Sequence, residues 1–205
     1  MIVIIDYGMG NLFSMQSAIR YLGVESIITS DPNIINNADK LILPGVGSFY
    51  KAMENLHTSG LVAVLRDTVI SRQIPILGIC LGMQLMGESS TEDSFREGLR
   101  LIDCPVERFD DGKSESLKIP HVGFNTVTVM QKSKLFMGLD AQVDFYFTHS
   151  YRMKYTDQSY AAGICHHGES FIAAFEKEHI CGTQFHPEKS QTNGLLLLRN
   201  FINNF

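Results

Sequence analysis

The runs "IVII" (2–5), "KLILPG" (40–45) and "PILGI" (75–79) carry apolar side chains at consecutive positions rather than alternate ones. A strand with one wet face alternates, so strands of this kind are buried on both faces, as in a parallel sheet covered by helices above and below. The segments between them supply those helices. Leu12, Met15, Ile19 and Leu22 recur at three- and four-residue steps, with Asn11 as N-cap and Gly23 as stop. "ESIITS" (25–30) reads as a further strand; Phe49, Met53 and Leu56, then Leu61, Leu65 and Val69, mark two more helical faces.

After residue 97 the texture changes to short β-rich runs punctuated by Gly, Asp and Lys, among them "NTVTVM", "VDFYFTHSYRM" and "SYAAGICHH". These predict antiparallel strands, and "FIAAFEKEHICGTQF" predicts one hairpin turning near residues 176–178. A closing helix presents Leu195, Leu198, Ile202 and Phe205 on one face, expected to be its buried side. The polar stretch 110–118 is expected to be an exposed loop. The fold class is therefore α/β, a mostly parallel sheet flanked by helices with a β-rich antiparallel second half, expected as one domain over 1–205.

With 22 acidic and 17 basic residues and a net charge of −5, the chain offers no basic patch for nucleic acid. Cys80, Cys104, Cys165 and Cys181 show no C-x-x-C spacing, which fits a reduced, cytoplasmic setting. The start "MIVIIDYG" lacks the basic segment of a signal peptide, and no apolar run approaches the 18 or so residues of a membrane span.

The chemistry is concentrated at "GICLGMQ" (78–84). A cysteine in an apolar run is ordinarily a packing residue. Here Gly78 and Gly82 bracket Cys80 in a G-x-C-x-G pattern between a strand and a helix, the setting of a nucleophile elbow. The helix N-terminus favours a thiolate, and the N–H of Leu81 can face a developing oxyanion. "QFHPE" supplies the base and its orienter: in an extended chain His186 and Glu188 project from one face about 6.5 to 7 Å apart. "LPGVGSF" (43–49) follows a buried strand, and the N–H of Val46 or Gly47 can complete the oxyanion site.

Together "PGVG", "GICLGMQ" and "QFHPE" resemble a class I glutamine amidotransferase along essentially the whole chain. Within that class, "IDYGMGN", "LPGVGSF", "IPHVGFN" and "FTHSY" are similar to the glutaminase subunits of imidazole glycerol phosphate synthase. The resemblance implies that Cys80 attacks the glutamine side-chain amide, His186 moves the proton and Glu188 orients His186. It further implies that Gly45, Gln84, Thr148, His149, Ser150 and Tyr151 bind substrate. A heterodimer with a (β/α)-barrel cyclase subunit is implied, meeting this chain near Asn11, Pro120 and Phe124 and receiving its ammonia for histidine biosynthesis. No metal or organic cofactor is implied. Phe124 stands where typical members carry tryptophan, which makes a paralogue that amidinates a surface-glycan sugar the second reading.

Bland accounts exist for other residues. Cys104 reads as packing, and "CHH" (165–167) with "HIC" (179–181) matches no common zinc spacing. Phe145, Tyr146 and Phe147 read as strand core. A general cysteine hydrolase and a partner-binding scaffold are the competing functional classes.

Overall fold

The computed structural model describes residues 1–109, 118–130, 133–156 and 158–205. Its first half follows from the consecutive apolar runs. Strand β1 (Ile2–Ile5) lies between β2 (Ser26–Thr29) and β3 (Lys40–Gly45), and β3 pairs with β4 (Ile76–Cys80), all parallel. Every residue of β1 and β4 is buried. Val3 and Ile5 face one core, which also holds Phe49, Met53 and Leu56 of α3 (Phe49–Thr58) and Leu61 and Leu65 of α4 (Leu61–Arg66). Ile2 and Ile4 face the other, with Met15 and Ile19 of α1 (Leu12–Tyr21). Each such side chain, fully buried, contributes about 1.5–3 kcal/mol.

Several helix ends follow local chemistry. Asp31 caps α2 (Pro32–Asn36) by accepting from the Asn33 N–H, Ser48 caps α3 through the Lys51 N–H, and Gly23 follows α1 at φ +79°. Asn11 occupies the cap position of α1 but makes no side-chain capping bond. The helix predicted through Val69 is α4 followed by a wider turn, Asp67–Ser71.

Strand β4 runs into α5 (Leu81–Leu85). The later strands are β5 (Ser89–Ser90), β6 (Arg96–Glu97), β7 (Val106–Arg108), β8 (His121–Val129), β9 (Gln142–His149), β10 (Tyr151–Met153), β11 (Ala161–His167), β12 (Glu169–Lys177) and β13 (Ile180–Thr183). Nine strands form one sheet in the order β2-β1-β3-β4-β13-β12-β11-β8-β9. The antiparallel half is thus an extension of the parallel sheet, and β13 is the joint, parallel to β4 and antiparallel to β12. The β12–β13 hairpin turns at Glu178 and His179, with Glu178 at φ +56°. Strands β10, β7, β5 and β6 make a separate four-stranded sheet.

The closing helix α6 (Gln191–Asn204) buries Gly194, Leu197, Leu198, Asn200 and Phe201, a face rotated from the expected Leu195, Leu198, Ile202 and Phe205. The cause is contact rather than periodicity. A Cβ on Gly194 would lie 1.9 Å from the Pro187 carbonyl oxygen, so the helix rests there, and the Asn200 amide donates to the Leu135 and Met137 carbonyls at 2.9 and 2.7 Å. Of the stretch expected to be an exposed loop, 110–117 lies outside the described residues and Lys118 is exposed.

Candidate active site

Strand β4 ends on Cys80 at φ +54°, ψ −111°, a region costing a non-glycine residue about 1–3 kcal/mol. The surroundings enforce it. A Cβ on Gly82 would lie 1.7 Å from the Leu43 carbonyl oxygen, and one on Gly78 would lie 2.8 Å from Gly82 O and Met83 N. Both glycines of the G-x-C-x-G run are therefore required for the turn to close against β3. Helix α5 has only five residues, so it acts through the N–H groups of its first turn rather than through a long dipole.

His186 and Glu188 meet differently from the extended arrangement expected. Strand β13 stops at Thr183, and Pro187–Lys189 curls into a 3₁₀ turn closed by Lys189 N–H to His186 O. This brings His186 Nδ1 to 2.8 Å from Glu188 Oε1, with both side chains buried. A carboxylate only accepts, so Nδ1 carries the proton and Nε2 is left for chemistry. Nε2 has no hydrogen-bond partner among the described residues. Burial disfavours the charged ring, but Cys80 and Glu188 outweigh it and raise the His186 pKa to about 9.

Cys80 and His186 open onto a cleft of about 420 Å³, lined also by Val46, Gly47, Leu81, Gln84, Glu92, Thr148, His149, Ser150 and Tyr151. Val46 is exposed and Gly47 sits at φ +108°. Neither N–H is spent on a backbone carbonyl among the described residues, so both remain available as donors. Tyr7 Oη donates to the Pro44 carbonyl at 2.8 Å and steadies this strand end; burial, and then the Cys80 charge, push its ionisation far up. Gly45 lies behind the cleft rather than against it. An added Cβ there would lie 2.5 Å from Tyr7 Oη and 2.8 Å from Leu81 Cβ, so its demand is for space.

Gln84 spends its Nε2 on the Tyr151 carbonyl (2.9 Å) and on Gln184 Oε1 (3.0 Å), which leaves Oε1 as its acceptor. His149 lines the cleft with both ring nitrogens occupied. Its Nδ1 donates to the Tyr151 carbonyl at 2.8 Å, so its Nε2 accepts from His121 Nδ1 at 3.0 Å. His121 Nε2 in turn accepts from Asn125 Nδ2 at 3.1 Å. Burial lowers the pKa of His121 to about 4, helped by His167, and that of His149 to about 3. His149 is therefore a neutral support for the loop.

One cleft residue, Glu92, and one group buried beside Cys80, Gln184, escaped the sequence reading. Glu92, in a polar run, accepts from the Phe49 N–H at 2.8 Å; burial holds its carboxyl above the usual range. Gln184 lies two residues before His186, and that alternation was the signal available for it. Asn11 and Pro120 are exposed, and Phe124 is half exposed with its ring edge-on to Tyr146 at 5.6 Å. No cluster of three or more metal-ligating side chains occurs among the described residues. Burial pushes Cys104 up to about 11, Cys165 to about 12 and Cys181 well upward too.

Residues 3–205 match the family model of class-I glutamine amidotransferases. The chain is 45% identical over 202 residues to imidazole glycerol phosphate synthase subunit HisH 1 of Campylobacter jejuni strain RM1221, covering 98% of this chain and 99% of that one. It is 46% identical over 206 residues to the subunit HisH 1 of Parasynechococcus marenigrum, covering 98% and 96%. A crystal structure of a glutamine amidotransferase superposes with a TM-score of 0.75 at 17% identity, covering 98% and 96% of the two chains, which speaks for the fold. No helix among the described residues is long and apolar enough to cross a membrane. The chain belongs to the class-I glutamine amidotransferase family and, within it, to the imidazole glycerol phosphate synthase HisH subunits.

Proposed function

We propose that the chain hydrolyses L-glutamine to glutamate and ammonia and delivers the ammonia to a cyclase subunit that makes imidazole glycerol phosphate in histidine biosynthesis. The observation that carries this is the Glu188–His186 pair beside the strained Cys80, at one cleft with uncommitted backbone N–H groups. Glutamine enters with its side-chain amide toward Cys80. His186 Nε2 holds the thiol proton, the sulfur attacks the amide carbon, and a C–S bond forms as the carbonyl oxygen takes negative charge. The N–H groups of Leu81 and of Val46 or Gly47 receive that charge.

His186 then gives its proton to the amide nitrogen, the C–N bond breaks and ammonia leaves. A ring held at about 9 keeps that proton at neutral pH. Water, deprotonated by His186, attacks the thioester; the C–S bond breaks, glutamate departs and the proton returns to sulfur. Gln84 Oε1 and the Glu92 carboxylate are acceptors suited to the substrate ammonium, and Thr148, Ser150 and Tyr151 line the same cleft.

The cyclisation and its lyase step belong to the partner, a (β/α)-barrel subunit. Asn11, Pro120 and Phe124, with exposed Phe13 and Val122, are surface groups suited to docking it. The relatives are named for imidazole glycerol phosphate synthase, which does not favour the sugar-amidinating reading. The test is co-purification with the cyclase and measurement of glutamate release with and without each acceptor. Cys80→Ala is expected to abolish glutamine-dependent synthesis while free ammonium still supports it. Retained glutaminase activity in that variant would overturn the proposal.

A further inference from the structure

We propose that Gln184 is a positioning residue for the nucleophile, holding the Cys80 sulfur with its side-chain N–H. Its Nε2 lies 3.7 Å from Cys80 Sγ, across 104 positions of sequence, and its side chain is fully buried. The orientation of the amide follows from its neighbours. The Tyr151 carbonyl can only accept, so the end of Gln84 that meets it at 2.9 Å is nitrogen. That nitrogen also meets Gln184 at 3.0 Å, so the facing atom of Gln184 is oxygen, and its nitrogen is left for the sulfur.

The chain of bonds therefore runs from a backbone carbonyl to the reacting atom, with every donor and acceptor assigned. The far end is itself braced, because the Tyr151 carbonyl also accepts from His149 at 2.8 Å. On the sulfur, the two available partners suit two protonation states. The S–H donates to the Thr148 carbonyl at 3.9 Å, and the thiolate accepts from Gln184. A buried donor aimed at an anion strengthens that anion and restricts its rotation. The inference rests on the reading that Cys80 attacks glutamine, and it assigns Gln184 to the reactivity and aim of the sulfur rather than to substrate binding.

The test uses Gln184→Met, which keeps the length and removes the donor, and Gln184→Glu, which keeps the acceptor Gln84 needs and removes the N–H. In the chain alone, iodoacetamide alkylation of the Cys80 peptide at neutral to mildly alkaline pH is expected to slow about tenfold, the usual weight of a hydrogen bond to a charged group. In the complex with the cyclase, kcat for glutamine is expected to fall by a similar factor while KM moves less than about twofold. Ammonium-driven synthesis by the same complex and a cooperative thermal melt check that each variant folds; should the Met variant not fold, the Glu variant carries the test. Alkylation at the wild-type rate overturns the proposal. So does a raised KM with unchanged kcat, which would place Gln184 in substrate binding through Gln84. If alkylation slows but the wild-type complex hydrolyses no glutamine, the functional reading fails and the positioning role stands.

Discussion

Glu188 holds no atom in the cleft lining, yet it sets the state of the ring that does the proton transfers. Its carboxylate fixes the His186 proton on Nδ1 and helps raise the ring to about 9 against the opposing effect of burial. Glu188→Gln keeps a side chain of the same shape and removes the charge, so the His186 pKa is expected to fall. The alkaline limb of the kcat profile should move to lower pH, and kcat should drop about a hundredfold, the scale of a general acid–base contribution. Rate profiles and the NMR titration of the His186 ring check this; an unmoved limb would show that the charge is not what holds the ring. The pair itself was legible in "QFHPE", because two residues two positions apart cannot be far from each other. Their curled approach was not, because the 3₁₀ turn is closed by bonds to His186 O from Lys189 N–H and Ser190 Oγ, the last at 2.7 Å, rather than by anything in the spacing.

At the scale of elements, the β4–α5 turn depends on bare backbone. Gly82→Ala would set a methyl 1.7 Å from the Leu43 carbonyl oxygen, and β3 cannot yield there without losing ladder bonds to β4. The expected cost is about 3 kcal/mol or more, read as a lower midpoint in urea unfolding, together with loss of glutaminase activity. A variant with wild-type stability would mean that the turn has slack the structure does not show. This requirement was readable from G-x-C-x-G, since a strand that turns abruptly into a helix crowds its own flanks. The buried face of α6 was not readable. Four leucines in a row (195–198) leave the periodicity undecided, and the choice fell to the contact of Gly194 with Pro187. Likewise Asn11 stands at a helix start, as its type predicts, without capping it.

For the whole molecule, the titrating histidines pull in opposite directions. His121 and His149 have folded pKa values of about 4 and 3, below the unfolded value of about 6.5. The unfolded chain therefore binds more protons below that value, and stability present above it is lost as pH falls from about 6.5 toward 3 to 4. His186 is raised to about 9, so its contribution is full below the unfolded value and lost as pH rises through about 9. Tm is expected to be highest near pH 6.5, falling on the acid side below that value, above the carboxylate range, and on the alkaline side between about 6.5 and 9. A Tm that holds level from neutral pH down to the carboxylate range would show that the His121–His149 chain is not buried neutral.

The sequence by itself determined the parallel half of the sheet, the nucleophile turn and the His-x-Glu pair, because each is written in neighbouring residues: consecutive apolar side chains, paired glycines, a two-residue step. The tertiary structure alone decided that β13 joins the parallel and antiparallel halves. That joint sets Gln184 against Cys80 and places His186 at the same cleft as Glu92, which is lined also by His149, itself bonded to His121 and through it to Asn125. These residues come from separate strands and loops, so their meeting depends on strand order, register and close packing, none of which is encoded within one local stretch of chain.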